Sequence, residues 1–262
     1  MPPADPPRLL VTRLGLVPYA EALGLQRAVA RARIAGAVPD DVLLLVEHPP
    51  VFTLGRSTRA SSLPLDADAL RARGAEVFEI ERGGDVTFHG PGQLVGYPVV
   101  DLKRHRRDLH WYLRQVEEAL IRGVAAFGVA GGRHPGYTGV WVGGGGPAGD
   151  RPAGDPLGTG GGFVPRRKLA SIGVHARDWV TWHGFALNVT PEPLRYFDLV
   201  VPCGIAGVEM TAVAREAGRD VPVDAVAAEV APAFADVFGL LVAELPADDL
   251  RAMLAETGAP AA

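Results

Sequence analysis

Cysteine is almost absent from this sequence: Cys203 is the only one in 262 residues. A single cysteine excludes an intrachain disulfide and a cysteine-rich zinc site, and it confines any thiol chemistry to one position. Long apolar runs are missing too; no stretch approaches the ~18 uninterrupted apolar residues of a membrane span. The opening Met1-Pro-Pro-Ala-Asp-Pro-Pro7 lacks the basic-then-apolar order of a secretory signal, so a cytoplasmic location without a membrane partner is expected. There is no excess of positive charge. The formal net charge is −4, which argues against a general attraction to nucleic acid. No long internal repeat is visible.

What remains is an ordinary globular composition, 48% hydrophobic and 21% charged, in a chain long enough to bury a sizeable core. Pro18 to Ala35 reads as a helix, with Leu23, Arg27, Ala30 and Ile34 at helical spacing. Leu109 to Phe127 is the clearest helix. Leu109, Tyr112, Leu113, Val116, Leu120, Val124 and Phe127 form its apolar face, with Arg114, Glu117, Glu118 and Arg122 opposite. Val223 to Phe238 is a third helix, with Pro232 as a candidate bend. Strands are expected at 41–46, 51–54, 76–80, 93–100, 138–142, 168–176 and 182–189, the last two as a hairpin bending at Arg177-Asp178.

Between two of these strands lies Gly143–Pro165, with ten glycines and four prolines in 23 residues. Such a composition buries too little apolar surface to offset chain entropy, and a disordered insertion in a hairpin loop is expected. A glycine-rich phosphate cradle is the alternative, but the Gly-Lys-Ser/Thr ending and the following helix are lacking. Strands mixed with few helices, in no regular βαβ order, point to an α+β fold with mixed sheets and flanking helices. The expected organisation is a flexible tail at 1–7, one catalytic domain over 8–245 and a short C-terminal helix and tail at 246–262.

Three segments carry residues suited to chemistry. In Arg82-Gly-Gly-Asp-Val-Thr-Phe-His-Gly-Pro-Gly-Gln93, glycines allow backbone to approach a ligand closely. Two tight turns flanking a short strand need the same glycines, and His89 alone is more often structural than catalytic. In Arg166-Arg-Lys-Leu-Ala-Ser-Ile-Gly173, the arginines fit a solvated face. A lysine entering a buried strand is different, because desolvation of an ammonium favours its neutral, basic form. In Phe197-Asp-Leu-Val-Val-Pro-Cys-Gly-Ile205, Pro202 and Gly204 put Cys203 in a turn, where side chains face clefts and a backbone N–H is available to an oxyanion. A lone cysteine is otherwise usually an inert core residue.

Together these segments resemble the lipoyl(octanoyl) transferases. The family pattern R-G-G-x-x-T-[YF]-H-G-P-G-Q, K-x-x-S-[IL]-G, H-G-x-A-L-N, P-C-G-[IL] is met by Arg82–Gln93, Lys168–Gly173, His183–Asn188 and Pro202–Ile205, in that order. The resemblance spans about residues 8–245. It implies the biotin/lipoate protein ligase-like fold and a catalytic dyad of Cys203 and Lys168. It implies substrate contacts at Arg82, Gly83, Gly84, Asp85, Val86, Thr87, Phe88, His89, Ser171, Ile172, Gly173, Gly184, Phe185 and Ala186. The implied reaction is the first step of lipoate biosynthesis: octanoyl transfer from octanoyl-acyl carrier protein to a lysine of lipoyl domains, through a Cys203 thioester. The implied acceptors are the lipoyl domains of 2-oxoacid dehydrogenase complexes and the glycine cleavage H protein. Neither a cofactor nor a metal is implied.

The chemistry is coherent. Exchange of one thioester for another is nearly balanced, and a cationic Lys168 beside Cys203 favours the thiolate. Once deprotonated, the same lysine accepts a proton from the attacking amine. An apolar groove is expected from Phe88, Leu94, Ile172, Phe185 and Leu187, and Arg104, Arg106, Arg107 and Arg166 are candidates for steering acidic partner domains. The main rival is an ATP-dependent lipoate or biotin protein ligase, which has no need of Cys203. A cysteine thioesterase and a non-catalytic carrier-binding protein are the others.

Overall fold

A computed structural model describes residues 6–143, 165–201 and 208–257. Its larger sheet contains nine strands among the described residues: β1 (Arg8–Leu16), β2 (Asp41–Glu47), β6 (Gln93–Val99), β7 (Gly131–His134), β8 (Tyr137–Gly143), β9 (Pro165–Arg177), β10 (Val180–Asn188), β11 (Glu209–Met210) and β12 (Leu241–Glu244). They run in the order β12-β1-β2-β6-β10-β9-β8-β7, with β11 added beside β9. The β12–β1, β1–β2 and β11–β9 pairs are parallel and the others antiparallel. A smaller sheet has the order β4 (Glu76–Glu79), β3 (Val51–Leu54), β5 (Val86–His89). The α+β expectation with mixed sheets is thus met.

The run Val42-Leu-Leu-Leu-Val46 is continuously apolar because both faces of β2 are covered. Leu43 and Leu45 join Leu9, Val11 and Leu94 in a core under α3 (Leu109–Ala125) and α5 (Val223–Phe238). Val42, Leu44 and Val46 point the other way, to a core under α1 (Tyr19–Ile34) and α6 (Ala247–Glu256), which contributes Leu250 and Leu254. Two short helices complete the set: α2 (Ala67–Arg71) puts Leu70 into the core of the small sheet, and α4 (Val213–Ala217) puts Val213 and Ala214 into the core under α3 and α5. Helix α5 continues through Pro232.

The structure corrects several local expectations. The α1 stripe is not Leu23, Arg27, Ala30, Ile34; the buried positions are Tyr19, Ala22, Leu23, Gln26, Ala28, Val29, Ala30, Ala32 and Arg33. The face is therefore rotated, and Arg27 lies at its margin, where it reaches Glu81. Glu117, expected on the polar face of α3, is fully buried and accepts from Arg114, Arg133 and the backbone N–H of Gly139. Gly143 and Pro165, the ends of the glycine-rich stretch, are cross-strand partners of β8 and β9. The rest of that stretch, 144–164, lies outside the described residues. Strand β9 begins at Pro165, and its hairpin to β10 turns on Asp178 and Trp179, both at positive φ between the paired Arg177 and Val180. Two successive left-handed residues match the twist of a two-residue hairpin.

Candidate active site

The site lies where the small sheet meets β6, β9 and β10. Strand β5 explains which of its residues reach it. Successive side chains of a strand alternate. Thr87 and His89 line a cleft, whereas Val86 and Phe88 point into a separate core with Phe52, Leu70 and Phe197, the Phe88 ring stacking on Tyr196. The opposite wall comes from Ser171, Ile172 and Gly173 of β9 and from Gly184, Phe185 and Ala186 of β10, and Arg82, Gly84 and Asp85 close one end. Val86 and Phe88, implied as substrate contacts, therefore face away from the cleft. Gly83 does not border it either; its N–H donates to Val174 O and ties the turn to β9. Of the expected groove residues, Ile172 and Phe185 line the cleft, while Leu94 and Leu187 sit in the core under α3 and Phe88 in the small one.

Arg82 is almost wholly buried. Its Nη2 donates to Thr53 O at 2.6 Å and to Thr53 Oγ1 at 3.0 Å, its Nε to Thr53 Oγ1 at 3.2 Å, and its Nη1 to Gly83 O. Glycines make room for it. A Cβ on Gly55 would stand 2.7 Å from Nη1 and 2.3 Å from Gly84 O, and one on Gly173 would stand 3.2 Å from Arg82 Cδ and 2.7 Å from Gly83 O. Gly55 and Gly173 thus leave room for a buried guanidinium.

Three buried histidines stand here, His89 and His183 on the cleft and His48 beside His89. His48 bonds Val17 O through Nδ1 (2.8 Å) and the Tyr97 hydroxyl through Nε2 (2.7 Å), and burial pushes its pKa down to about 4. Burial, then the neighbouring His48 and Arg82, also hold His89 well below the usual imidazole range. His183 has positive φ, a conformation uncommon outside glycine, and donates its N–H to Gln26 Oε1. Its imidazole pKa is lowered, chiefly by burial. Glu81 is held well below the usual carboxylate range by His183, Arg27 and Trp182. At 3.6 Å the His183 contact is longer than a hydrogen bond, so Arg27 (2.6 and 3.0 Å) and Trp182 (2.9 Å) are the partners in bonding range.

Lys168 is fully buried on β9, three residues before Ser171, and does not itself border the cleft. Its ammonium lies 5.4 Å from the Trp141 ring centroid, and its stem fills space left by Gly139, where a Cβ would come within 2.9 Å of Lys168 Cε. Its register partner on β11 is Met210. Cys203 falls in 202–207, outside the described residues. The described flanks of that segment are nevertheless anchored: Val201 N donates to Ser62 O, while Glu209 and Met210 pair with Arg167 and Lys168. Ser62 in turn donates to Asp85 at the cleft.

Sequence reasoning missed Tyr19 and Tyr97, whereas His183, expected from its motif to shape the pocket, does line the cleft. Tyr97 carried a signal, its alternation with Val95 and Val99, but Tyr19 is brought in from α1 by tertiary packing alone. Of the steering arginines, Arg104 donates to Pro39 O and Arg106 pairs with Asp108, so both are engaged locally; Arg107 is exposed, and the Arg166 side chain lies outside the described set.

Comparison with known proteins decides the family. The model of the lipoyl protein ligase A/B catalytic domain matches residues 18–235. An octanoyltransferase of Rubrobacter xylanophilus is 48% identical over 227 residues, covering 86% of this chain and 91% of that protein. The chain belongs to the octanoyltransferases of the lipoyl protein ligase A/B family. A second member, the octanoyltransferase of Nostoc punctiforme, is 41% identical over 243 residues, 92% of this chain and 94% of that one. Among solved structures, the bipartite lipoate protein ligase of Thermoplasma acidophilum superposes with a TM-score of 0.69 at 15% identity, covering 95% of this octanoyltransferase-family chain and 91% of that one. A lipoate-protein ligase A bound with ATP gives 0.68 at 16%, covering 96% and 93%. Those two establish the shared fold.

Proposed function

We propose that this protein transfers an octanoyl group from the thioester of an acyl carrier protein to a lysine of lipoyl domains, through a thioester on Cys203 with Lys168 as its partner. The acceptors on this reading are the lipoyl domains of 2-oxoacid dehydrogenase complexes and the glycine cleavage H protein. The carrying observation is the placement of Lys168: a fully buried lysine, paired in register with the strand that follows Pro202-Cys-Gly-Ile205. Burying a cationic side chain is costly, and buried ionisable groups cluster at functional sites, which supports a chemical role for this one.

The steps balance as follows. The Cys203 thiolate attacks the donor thioester carbonyl; the new carbon–sulfur bond forms as the carrier's breaks, and the carrier thiolate takes the Lys168 proton. The acceptor amine then attacks the Cys203 thioester and gives a proton to Lys168, an amide forms, and the Cys203 thiolate leaves. The cleft floor of Ser171, Gly173, Gly184 and Ala186 is shallow enough in side chain to admit an alkyl chain against Ile172 and Phe185. On this reading Arg82 and Thr87, both on the cleft, are the polar groups that orient the acyl carbonyl.

Intact-mass analysis after incubation with octanoyl-acyl carrier protein tests this. One hydroxylamine-labile octanoyl adduct is expected, absent in Cys203→Ala. Lys168→Ala is expected to lower both adduct formation and transfer by at least ~10²-fold. Release of pyrophosphate from ATP and octanoate, with no adduct at Cys203, would overturn the reading in favour of a ligase.

A further inference from the structure

Behind the cleft runs a line of buried polar side chains whose hydrogen bonds all point one way. At one end the Thr211 carbonyl accepts from Asn188 Nδ2 at 3.0 Å. A carbonyl only accepts, so the Asn188 amide orientation is determined, and its Oδ1 accepts from Gln93 Nε2 at 2.9 Å. Gln93 Oε1 is then left facing His89 Nδ1 at 3.0 Å, which must carry the proton. At the other end Arg82 only donates, and Thr53 Oγ1 receives from its Nε and Nη2. Thr53 is left with its own proton to give, and His89 Nε2 lies 3.3 Å away as the acceptor. Both ends enforce the same state of His89: neutral, protonated on Nδ1, with the Nε2 lone pair toward Thr53.

The line also joins the two halves of the site. Gln93 and Asn188 are cross-strand partners of β6 and β10. Thr211, whose carbonyl anchors the line, donates its N–H to Lys168 O at 2.9 Å. We propose that Gln93 and Asn188 are positioning residues that hold His89 as a fixed acceptor, and that His89, through Thr53, aims the Arg82 guanidinium into the cleft. His89 is on this view neither a general base nor a proton shuttle; its lone pair is already committed. This rests on the octanoyl-transfer reading for what Arg82 orients, but not for the proton arrangement itself.

A proton added at His89 Nε2 would oppose the Thr53 hydroxyl and bring a third donor to an oxygen that already receives two. The surroundings resist it. His89 stacks on Tyr19 (6.0 Å between centroids) and lies 6.0 Å from His48, with Arg82 and His183 also near and Tyr97 in the same wall. Asp85 borders the same cleft but is taken by Ser62 and the Val86 N–H, and Glu81 by Arg27 and Trp182. Gln93 is neutral.

The test uses the full chain with 15N-labelled histidine, the His89 signals being assigned by their absence in His89→Gln. Long-range 1H–15N correlation is expected to show His89 protonated on Nδ1 only, unchanged from about pH 7.5 to about 5.5 although a free imidazole titrates near ~6.5. An Nε2–H tautomer, or ordinary titration, would overturn the proposal without any variant. Gln93→Glu puts a carboxylate on Nδ1 and raises the imidazole pKa. Its octanoyl-transfer kcat is expected to fall roughly tenfold as pH drops through that new titration, with KM for the donor rising, while wild type shows no such limb. If the imidazolium forms in Gln93→Glu and the rate profile still follows wild type, His89 does not aim Arg82. Should the protein transfer no octanoyl group at all, the tautomer is still read, so failure of the activity reading and failure of this one are separable.

Discussion

At the scale of the residue, the site is organised around where a Cβ is forbidden. Gly173 lies opposite Gly184 in the β9–β10 register and against the Arg82 stem. Gly173→Ala would bring a methyl within 2.7 Å of Gly83 O, which is backbone and cannot yield cheaply. The expected outcome is a loss of about 1–3 kcal/mol in stability, read from the urea midpoint, together with a raised KM for the acyl donor as Arg82 is displaced. Ala186→Gly, at a position that already carries a small side chain in the same cleft, is expected to leave the donor KM within about twofold, with stability lowered by ~1 kcal/mol or less.

At the scale of the element, Glu117 shows how a helix face is misread from periodicity. Its place among Arg114, Glu118 and Arg122 suggests a solvated stripe, yet it is fully buried between α3 and β8. The two arginines that neutralise it, Arg114 and Arg133, come from the helix itself and from β7, and only the second contact is invisible in local sequence. Replacing Glu117 with Ala leaves the Gly139 N–H without its acceptor and Arg114 without its anion, while Arg133 keeps Glu118, and a loss of about 2–4 kcal/mol is expected by denaturant titration; Glu117→Gln, which keeps one acceptor, is expected to lose about half as much. Because Gly139 borders the Lys168 stem, Glu117→Ala is also expected to slow acyl transfer more than it weakens donor binding.

The same contrast explains what else was legible. Strands β6 and β10 and helices α1, α3 and α5 announce themselves by apolar periods repeated along their length, and β2 by an unbroken apolar run. Strand β1 did not, since Arg8-Leu-Leu-Val-Thr-Arg-Leu-Gly-Leu16 buries both Leu9 and Leu10 and breaks alternation. The glycine-rich turn and the Ser171-Ile-Gly173 strand were legible as motifs and do share one cleft. The alternation that turns Val86 and Phe88 away from it becomes visible only once β5 is known to separate two environments. Nothing local in the sequence announces that Tyr19 stacks on His89.

At the scale of the whole molecule, His48, His89 and His183 make a shared prediction about acid. Each has its pKa lowered by burial in the folded protein. Unfolded, each titrates near ~6.5, so below that pH the unfolded chain binds more protons than the folded one. Stability is full above about pH 6.5 and falls as pH drops toward the folded-state values; His48 alone, with a folded value of about 4, contributes a loss of roughly 3 kcal/mol across that window. Urea midpoints measured between about pH 7 and about pH 4.5 are expected to fall steeply, and less steeply in His48→Gln, whose amide can still donate to Val17 O and accept from Tyr97. A midpoint independent of pH in that window would contradict the burial of these rings as neutral groups.

Strand β9 carries Lys168 near one end and Ser171, Ile172 and Gly173 a few residues on, with β8, β10 and β11 gripping it along its length. A slip of one residue against β10 would invert every side chain it bears. Lys168 and the cleft-lining Ser171, Ile172 and Gly173 are therefore geared together: a shift of this strand displaces the buried amine and the cleft wall in one motion.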